Sequence, residues 1–194
     1  VKATTVLQYE ATECGAASLA TILRYYGRIV PLPQVRRECG VNRDGSNAQR
    51  VLLAARSYGL QTQAFRCSGE QLVLQGNFPC VVFWGFNHFL VLEGFDEKHA
   101  YLSDPAEGRV RMLKAEFFDQ FTGVVLEFTP GPEFKRGGHD DSPLWMLPGL
   151  LLPYWRQLLS LMVVASLLLV PNLMVAGLTS SFISDFLHQE RLYF

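Results

Sequence analysis

The chain has 194 residues, enough for one ordinary domain and a smaller second element. Its 17 basic and 18 acidic side chains give a net charge of −1 and form no Lys/Arg-rich block, which argues against nucleic acid as a partner. Hydrophobic residues make up 49% of the sequence and are concentrated after residue 143, so we expect a soluble domain followed by an apolar segment.

The first 60 residues carry three helix signals. Small side chains fill a predicted helix over residues 14–26, which Gly27 ends, and they would let this helix pack close to a sheet. A short helix is predicted over residues 34–39. Ser46 and Gln49 have the spacing of a capping box, which predicts a third helix that ends at Tyr58.

From residue 60 the pattern changes to short β-rich runs that are separated by turns. A short helix over residues 114–121 is predicted to interrupt them. Helices first and an antiparallel sheet second are typical of an α+β fold.

The apolar part of the chain begins after a linker that is rich in Pro, Gly and charged residues, over residues 129–143. Residues 158–178 then form a run of 21 residues without a charge, enough for a helix of about 30 Å, the hydrocarbon thickness of a bilayer. A buried core helix is the alternative, but core helices rarely run so far without a charge. We therefore expect a transmembrane helix here.

Four cysteines are present: Cys14, Cys39, Cys67 and Cys80. None has zinc-site spacing, and the first residues do not read as a secretory signal, so we expect reduced thiols in the cytosol. Cys14 opens the first predicted helix, where backbone N–H groups lower the pKa of a thiol. A small buried hydrophobic residue is the alternative for Cys14, and we expect the other three to be packing residues.

Three further residues are candidates for a cysteine hydrolase site with Cys14. His88 opens an apolar strand, as a general base on a rigid element would, although a hydrogen-bonded core histidine is the alternative. Asp104 ends the next strand, so a hairpin would bring it to the imidazole, although Asp-Pro is also a common turn opener. Gln8 precedes the helix and is a candidate donor to an oxyanion. Each residue is a weak signal, but the four in this order are more specific.

The stretches that carry these residues, "LQYEATECGAASLATILRYYG", "NHFLVLEG" and "YLSDPAEG", resemble the N-terminal peptidase domain of bacteriocin-processing ABC transporters. "CGVNRDGSNAQRVLLAARSYGL" and "FTGVVLEFTPGPEFKRGG" more narrowly resemble the transporters of nitrile-hydratase-leader bacteriocin systems. The resemblance covers residues 4–138 and the following membrane segment. It implies a papain-like fold that cleaves a leader peptide after a double glycine before export. It also implies Cys14 as nucleophile, His88 as general base, Asp104 as orienting acid and Gln8 as oxyanion donor.

The chain departs from this family pattern in two ways. It carries one predicted membrane helix where the family has six, and it lacks a Walker A motif. We therefore expect this chain to be a fragment of a longer protein. The fragment itself would bind no cofactor. ATP and Mg would bind only to a nucleotide-binding domain outside this sequence.

The expected organisation has four parts: a papain-like peptidase domain over residues 1–130, a linker and interfacial segment over 131–155, a first transmembrane helix over 156–180 and the start of an extracytoplasmic segment over 181–194. The expected partners are a precursor peptide with a double-glycine leader, the membrane and the rest of the transporter, with a homodimer in the full form. The peptidase domain would be cytoplasmic, at the inner membrane. The alternative function is a catalytically silent domain that only docks the cargo.

Two stretches near the candidate site are open to more than one interpretation. The loop "CGVNRDGSNA" suits a turn and a helix cap, so we assign it a structural role and not a catalytic one. Trp84 and Phe86 flank the histidine strand and would line a groove for an apolar leader helix or be buried in the core.

Overall fold

The computed structural model describes residues 2–43, 45–139 and 152–190, and the chain divides into two units, Val1–Asp140 and Asp141–Phe194. In the first unit, a 3-10 turn, Ala11–Glu13, leads directly into helix α1, Cys14–Tyr25. Every residue from 14 to 23 is buried, which the small side chains of its first turns allow. This helix therefore lies in the core and carries its first residue, Cys14, to the edge of a cleft described below.

Two more helices pack beside α1. Helix α2, Leu32–Glu38, has a proline in its first turn, where the missing N–H leaves no partner unsatisfied. Helix α3, Ala48–Ser57, is capped by Asn47, whose side chain accepts a 2.9 Å hydrogen bond from the N–H of Arg50. The predicted capping box at Ser46 was therefore wrong by one residue, because the amide of Asn47 supplies the cap.

Two short helices lie between strands. Helix α4, Gly69–Gln75, begins with a capping box between Ser68 and Gln71, which the sequence analysis did not detect. Helix α5, Lys114–Gln120, lies within one residue of its predicted bounds.

Six strands form one antiparallel sheet. They are β1 Leu60–Arg66, β2 Cys80–Trp84, β3 His88–Phe95, β4 His99–Asp104, β5 Gly108–Leu113 and β6 Phe121–Pro130. Their order across the sheet is β1-β6-β2-β3-β4-β5. Because β3 and β4 are antiparallel neighbours, the first residue of β3 and the last residue of β4 lie at the same end of the sheet. The prediction of an α+β fold with helices packed on an antiparallel sheet is confirmed.

The sheet has a hydrophobic core on each face. Alternate residues of β3 serve the two cores: Val91 faces the cluster around α1, α2 and α3, and Leu90 and Leu92 face the cluster around α4 and α5. A sheet buried on both faces is rigid, so side chains at the ends of its central strands are held in fixed positions.

Residues 131–139 follow β6 and pack against earlier parts of the first unit. The N–H of Gly131 donates to the carbonyl of Gly59, and the N–H of Gly137 donates to the carbonyl of Gly27. Phe134 packs against the core around α1. A domain end at residue 130 stays a prediction.

The second unit contains a 3-10 turn, Leu152–Tyr154, and helix α6, Trp155–Glu190. The stretch Trp155–Ser184 has 30 residues and contains an 18-residue window with a mean hydropathy of 2.3, so it is long and apolar enough to cross a membrane. Ser166, Asn172 and Thr179 each donate a side-chain hydrogen bond to a carbonyl four residues earlier. These polar groups are therefore satisfied within the helix, as a membrane-spanning helix requires.

The predicted boundaries at this end of the chain stay predictions. Residues 140–151 of the predicted linker and interfacial segment lie outside the described residues, and so do residues 191–194 of the predicted extracytoplasmic segment. Helix α6 itself continues past residue 180, the predicted end of the transmembrane helix.

Candidate active site

Cys14 is the first residue of α1 and is only 7% exposed. Burial raises the pKa of its thiol, but hydrogen bonds from His88 and from the backbone N–H groups of Phe89 and Gly15, together with the charge of His88, outweigh the effect of burial. The pKa of Cys14 therefore lies below its ordinary value, which favours the thiolate that a nucleophile requires.

His88 links Cys14 to Asp104. Its Nε2 lies 2.8 Å from Oδ1 of Asp104, which leaves Nδ1 as the ring nitrogen for the thiol. The pKa of His88 is raised to about 9. The hydrogen bond to Asp104 is the largest cause, the hydrogen bond to Cys14 is the next, and the charges of both residues add to the rise, although burial opposes it. At neutral pH the imidazole is therefore protonated, and its charge favours the thiolate form of Cys14.

Asp104 occupies the last position of β4, where a turn begins. Burial raises the pKa of its carboxyl, but the hydrogen bond from His88 and those from the N–H groups of Ala106 and Glu107 lower the pKa by more. The bond from Ala106 is 2.7 Å long and fixes the carboxylate within the turn. Asp104 therefore both opens a turn and contacts the histidine, so the two interpretations of this residue are compatible.

Gln8 reaches the site by a different route. Its backbone N–H donates a 2.9 Å hydrogen bond to the carbonyl of Pro105, the residue after Asp104. Its side-chain oxygen Oε1 is buried and has no hydrogen-bond partner among residues 2–43, 45–139 and 152–190. The structure thus joins Cys14, His88 and Asp104 by direct side-chain contacts, and it joins Gln8 to them through the backbone.

The other three cysteines differ from Cys14 in their electrostatics. Burial raises the pKa of Cys39 to about 12, and it also raises the pKa of Cys67 and Cys80. Cys39 and Cys80 are fully buried. Cys14 is therefore the cysteine whose surroundings favour the thiolate.

A cleft of about 600 Å³ opens beside Cys14. Its lining comes from the 3-10 turn and Cys14, from the loop before α3, and from β2, β3, β6 and the turn between β2 and β3. The lining residues are Ala11, Thr12, Cys14, Arg43, Gly45, Ser46, Asn47, Ala48, Phe83, Phe86, Asn87, Phe89 and Val124. The sequence analysis missed most of this wall, including Arg43 and residues 45–48, which lie in the loop and helix start to which it assigned a structural role. The turn residues in that loop do not indicate which surface the loop faces.

The turn between β2 and β3 places an exposed aromatic side chain at the cleft. Gly85 and Phe86 have φ values of 57° and 60°, and the N–H of Asn87 bonds the carbonyl of Trp84, as in the tight turn of a hairpin. A positive φ is unfavourable for Phe86, and the residue is 81% exposed. Trp84, by contrast, packs against the core around α4 and α5. Of the two aromatic residues that flank the histidine strand, Phe86 therefore lines the cleft and Trp84 packs against the core.

This geometry defines a class of protein. A cysteine at a helix start with a lowered pKa, a histidine hydrogen-bonded to it and a carboxylate hydrogen-bonded to the histidine are the arrangement of papain-like cysteine hydrolases. Residues 2–133 match the model of the peptidase C39 family. The chain belongs to this family, which confirms the predicted class, a cysteine peptidase.

Relatives and solved structures agree with this family. The chain is 35% identical over 127 residues to the probable microcin-H47 secretion/processing ATP-binding protein MchF of Escherichia coli, and 34% identical over 128 residues to the colicin V secretion/processing ATP-binding protein CvaB of the same species. These matches cover 66% of this chain and 18% of each relative, so the chain spans less than a fifth of their length.

The crystal structure of a double glycine motif protease from an AMS/PCAT transporter, in complex with the leader peptide, is 54% identical with a TM-score of 0.66. The match covers 66% of this chain and 92% of that one. The peptidase domain of Streptococcus ComA shares the fold at 24% identity, with a TM-score of 0.62 and coverage of 66% and 98%. The predicted papain-like fold and the resemblance to bacteriocin-processing peptidase domains are confirmed. The narrower resemblance to nitrile-hydratase-leader systems stays a prediction.

Proposed function

We propose that this chain carries the cysteine endopeptidase of a peptide exporter and cleaves a leader peptide after a double glycine. The observation that carries the proposal is the hydrogen-bonded series Cys14, His88 and Asp104 beside an open cleft. The 54% identity to a double glycine motif protease, solved with its leader peptide, supports the choice of substrate.

In the first step, the thiolate of Cys14 attacks the carbonyl carbon of the second glycine. A C–S bond forms, and the electron pair of the C=O double bond moves to the oxygen, which becomes an oxyanion. When this intermediate collapses, the imidazolium of His88 donates its proton to the departing amine and the C–N bond breaks. The peptide after the double glycine leaves with a free amino group, and the leader remains as a thioester on Cys14.

In the second step, water attacks the thioester and neutral His88 takes the proton of the water. The thiolate of Cys14 departs, His88 is again an imidazolium, and the leader leaves as a carboxylic acid. Asp104 stabilises the positive charge of His88 in both steps and holds its ring in one orientation. Gln8 and the N–H of Cys14 are the proposed donors to the oxyanion.

The remaining parts of the proposal concern the setting of this domain. Helix α6 is a candidate membrane span, and the curated relatives are named as secretion/processing ATP-binding proteins. We infer a peptidase domain on the cytoplasmic side of the inner membrane, joined to a transporter that is a homodimer in its full form. The side chains above supply the nucleophile, acid and base, so the peptidase step needs no cofactor. ATP and Mg belong to the transport step, on a nucleotide-binding domain.

The test uses the full chain in detergent and a synthetic peptide with a leader that ends in Gly-Gly. We expect cleavage after the second glycine, detected by mass spectrometry, and no cleavage by Cys14→Ala. Cys39→Ala is the matched control and should retain cleavage, because that thiol has a raised pKa away from the cleft. Binding of the peptide without cleavage by the parent protein would support the silent docking domain instead. Cleavage by Cys14→Ala at the parent rate would remove Cys14 from the site.

A further inference from the structure

Glu13 is a buried carboxylate next to the nucleophile that the mechanism above does not use. It is 2% exposed and is the last residue of the 3-10 turn that leads into α1. Its Oε1 lies 2.9 Å from Nη1 of Arg36 on α2. A buried carboxylate needs such compensation, because its desolvation is costly.

The other oxygen of Glu13 binds the backbone that follows Gln8. Oε2 accepts hydrogen bonds from the N–H of Tyr9 at 2.8 Å and from the N–H of Glu10 at 3.1 Å. On the other side, the N–H of Gln8 itself bonds the carbonyl of Pro105. The backbone at Gln8 and Tyr9 is thus fixed between the residue after Asp104 and the residue before Cys14.

We propose that Glu13 is a positioning residue that fixes the side chain of Gln8 relative to Cys14. This inference rests on the proposed function, because the geometry matters only if Gln8 donates to an oxyanion there. Without the two acceptor contacts, the N–H groups of Tyr9 and Glu10 lose their partner, and the backbone that follows Gln8 is fixed less firmly against the 3-10 turn. The amide of Gln8 then no longer has one fixed position. A displaced donor stabilises the oxyanion less, although the thiolate of Cys14 is unchanged.

The ordinary alternative is that Glu13 only stabilises the fold. The chain offers a matched control for this alternative in Glu93. Glu93 is also 2% exposed, pairs with Arg109 at 2.8 Å and accepts the N–H of Ala3 at 2.9 Å, but it does not hold the segment next to Gln8. Glu13→Gln and Glu93→Gln should lower the melting temperature similarly, and only Glu13→Gln should slow catalysis.

Two reactions of Cys14 distinguish an effect on the oxyanion from an effect on the thiolate. Peptide cleavage needs both, whereas alkylation by iodoacetamide is a displacement at a saturated carbon that expels iodide and forms no oxyanion. We expect Glu13→Gln to lower kcat by about 10- to 100-fold, less than the loss of about 100- to 1,000-fold typical of removing a donor. KM and the pH profile of alkylation should match those of the parent. Glu10→Gln, which changes the exposed partner of the same arginine, should leave kcat unchanged.

The experiment measures both reactions on the full chain in detergent, for the parent and for Glu13→Gln, Glu93→Gln, Gln8→Ala and the double variant Glu13→Gln/Gln8→Ala. If Glu13 acts through Gln8, its substitution should cost much less in the Gln8→Ala background than in the parent. Should Glu13→Gln not fold, Glu13→Asp, which keeps the charge but shortens the reach, should show a smaller loss of the same kind.

Four results would overturn the proposal. Three of them concern cleavage: an unchanged kcat in Glu13→Gln, full additivity with Gln8→Ala, or an equal loss in Glu93→Gln. The fourth is a parallel loss of alkylation, because Glu13 would then act on the thiol. If the parent protein cleaves no double-glycine peptide, the proposed function fails and this inference fails with it. If the parent cleaves and Glu13→Gln cleaves equally well, only this inference fails.

Discussion

Replacing Asp104 by Asn tests the electrostatic basis of the site with almost no change in shape. The amide oxygen can still accept the hydrogen bond from Nε2 of His88, which is 2.8 Å long in the parent. The negative charge is lost, and the bond to Asp104 is the largest single cause that raises the pKa of His88 to about 9. We therefore expect the pKa of His88 in Asp104→Asn to fall back toward its ordinary value of 6.5.

The size of the effect follows from that pKa. A rise from 6.5 to about 9 corresponds to at most about 3 kcal/mol in favour of the imidazolium, and solvent at this partly exposed site reduces it. If Asp104 supplies about half, its charge contributes about 1.5 kcal/mol, which is a factor of about ten in the equilibrium constant between the ion pair and the neutral pair. Alkylation of Cys14 at pH 7 should slow by up to about that factor, because the imidazolium stabilises the thiolate. The value of kcat should fall at least as far.

The assay follows iodoacetamide alkylation against pH, with mass spectrometry of the Cys14 peptide to separate it from the other thiols. Asp96→Asn is the matched control, because Asp96 forms a second and exposed Asp–His contact, with His99 at 3.3 Å. This control should give the parent profile. Superimposable profiles for Asp104→Asn and the parent, with cleavage kept, would refute the reasoning. Asp104 would then be a turn residue only, and the site a Cys–His dyad.

Two further predictions concern stability and the extent of the domain. Because folding raises the pKa of His88, protonated His88 stabilises the folded state. This contribution is complete below the ordinary pKa of 6.5 and is lost as pH rises through about 9. The lowered pKa of Asp104 adds stability that is lost at acidic pH. Thermal melts should therefore show the largest difference between the parent and Asp104→Asn at roughly pH 5 to 6, and a constant difference up to pH 10 would contradict this. A chain that ends at His139 should be soluble without detergent and should cleave like the full chain. A chain that ends at Pro130 loses the packing of Phe134, so its free energy of unfolding should be about 2 kcal/mol lower than that of the chain that ends at His139. Equal stability of the two would place the domain end at residue 130.

The sequence was most informative where a site residue coincides with an element boundary. Cys14 begins a helix, His88 begins a strand and Asp104 ends the next strand, and each of these boundaries has a local signal in the sequence. The hairpin then requires His88 and Asp104 to be close, since antiparallel neighbours bring those ends together. Helix α4 was missed because it has only seven residues and begins with Gly69, a residue that usually indicates a turn.

The walls of the site could not be predicted in the same way. Phe83 and Val124 are ordinary apolar residues of strands, and only the order of the strands brings them to the cleft. Glu13 is an acidic residue in a polar stretch, and nothing local indicates that it is buried. Its partner Arg36 lies on another helix, so the pair exists only after α1 and α2 have packed. Packing and long-range pairing decide these features, and a single sequence does not contain them as a pattern.

The acidity of Cys14 is itself a product of the tertiary structure. In an unfolded chain its thiol would have an ordinary pKa and be mostly protonated at neutral pH, like the other three. In the folded domain, the imidazolium comes from β3, the carboxylate that stabilises it comes from β4, and Gln8 is held to the turn after β4. The low pKa of Cys14 therefore arises only when α1 and the β3–β4 hairpin are assembled together. Fast alkylation at neutral pH accordingly reports the contacts among Cys14, His88 and Asp104, whereas peptide cleavage also reports the position of Gln8.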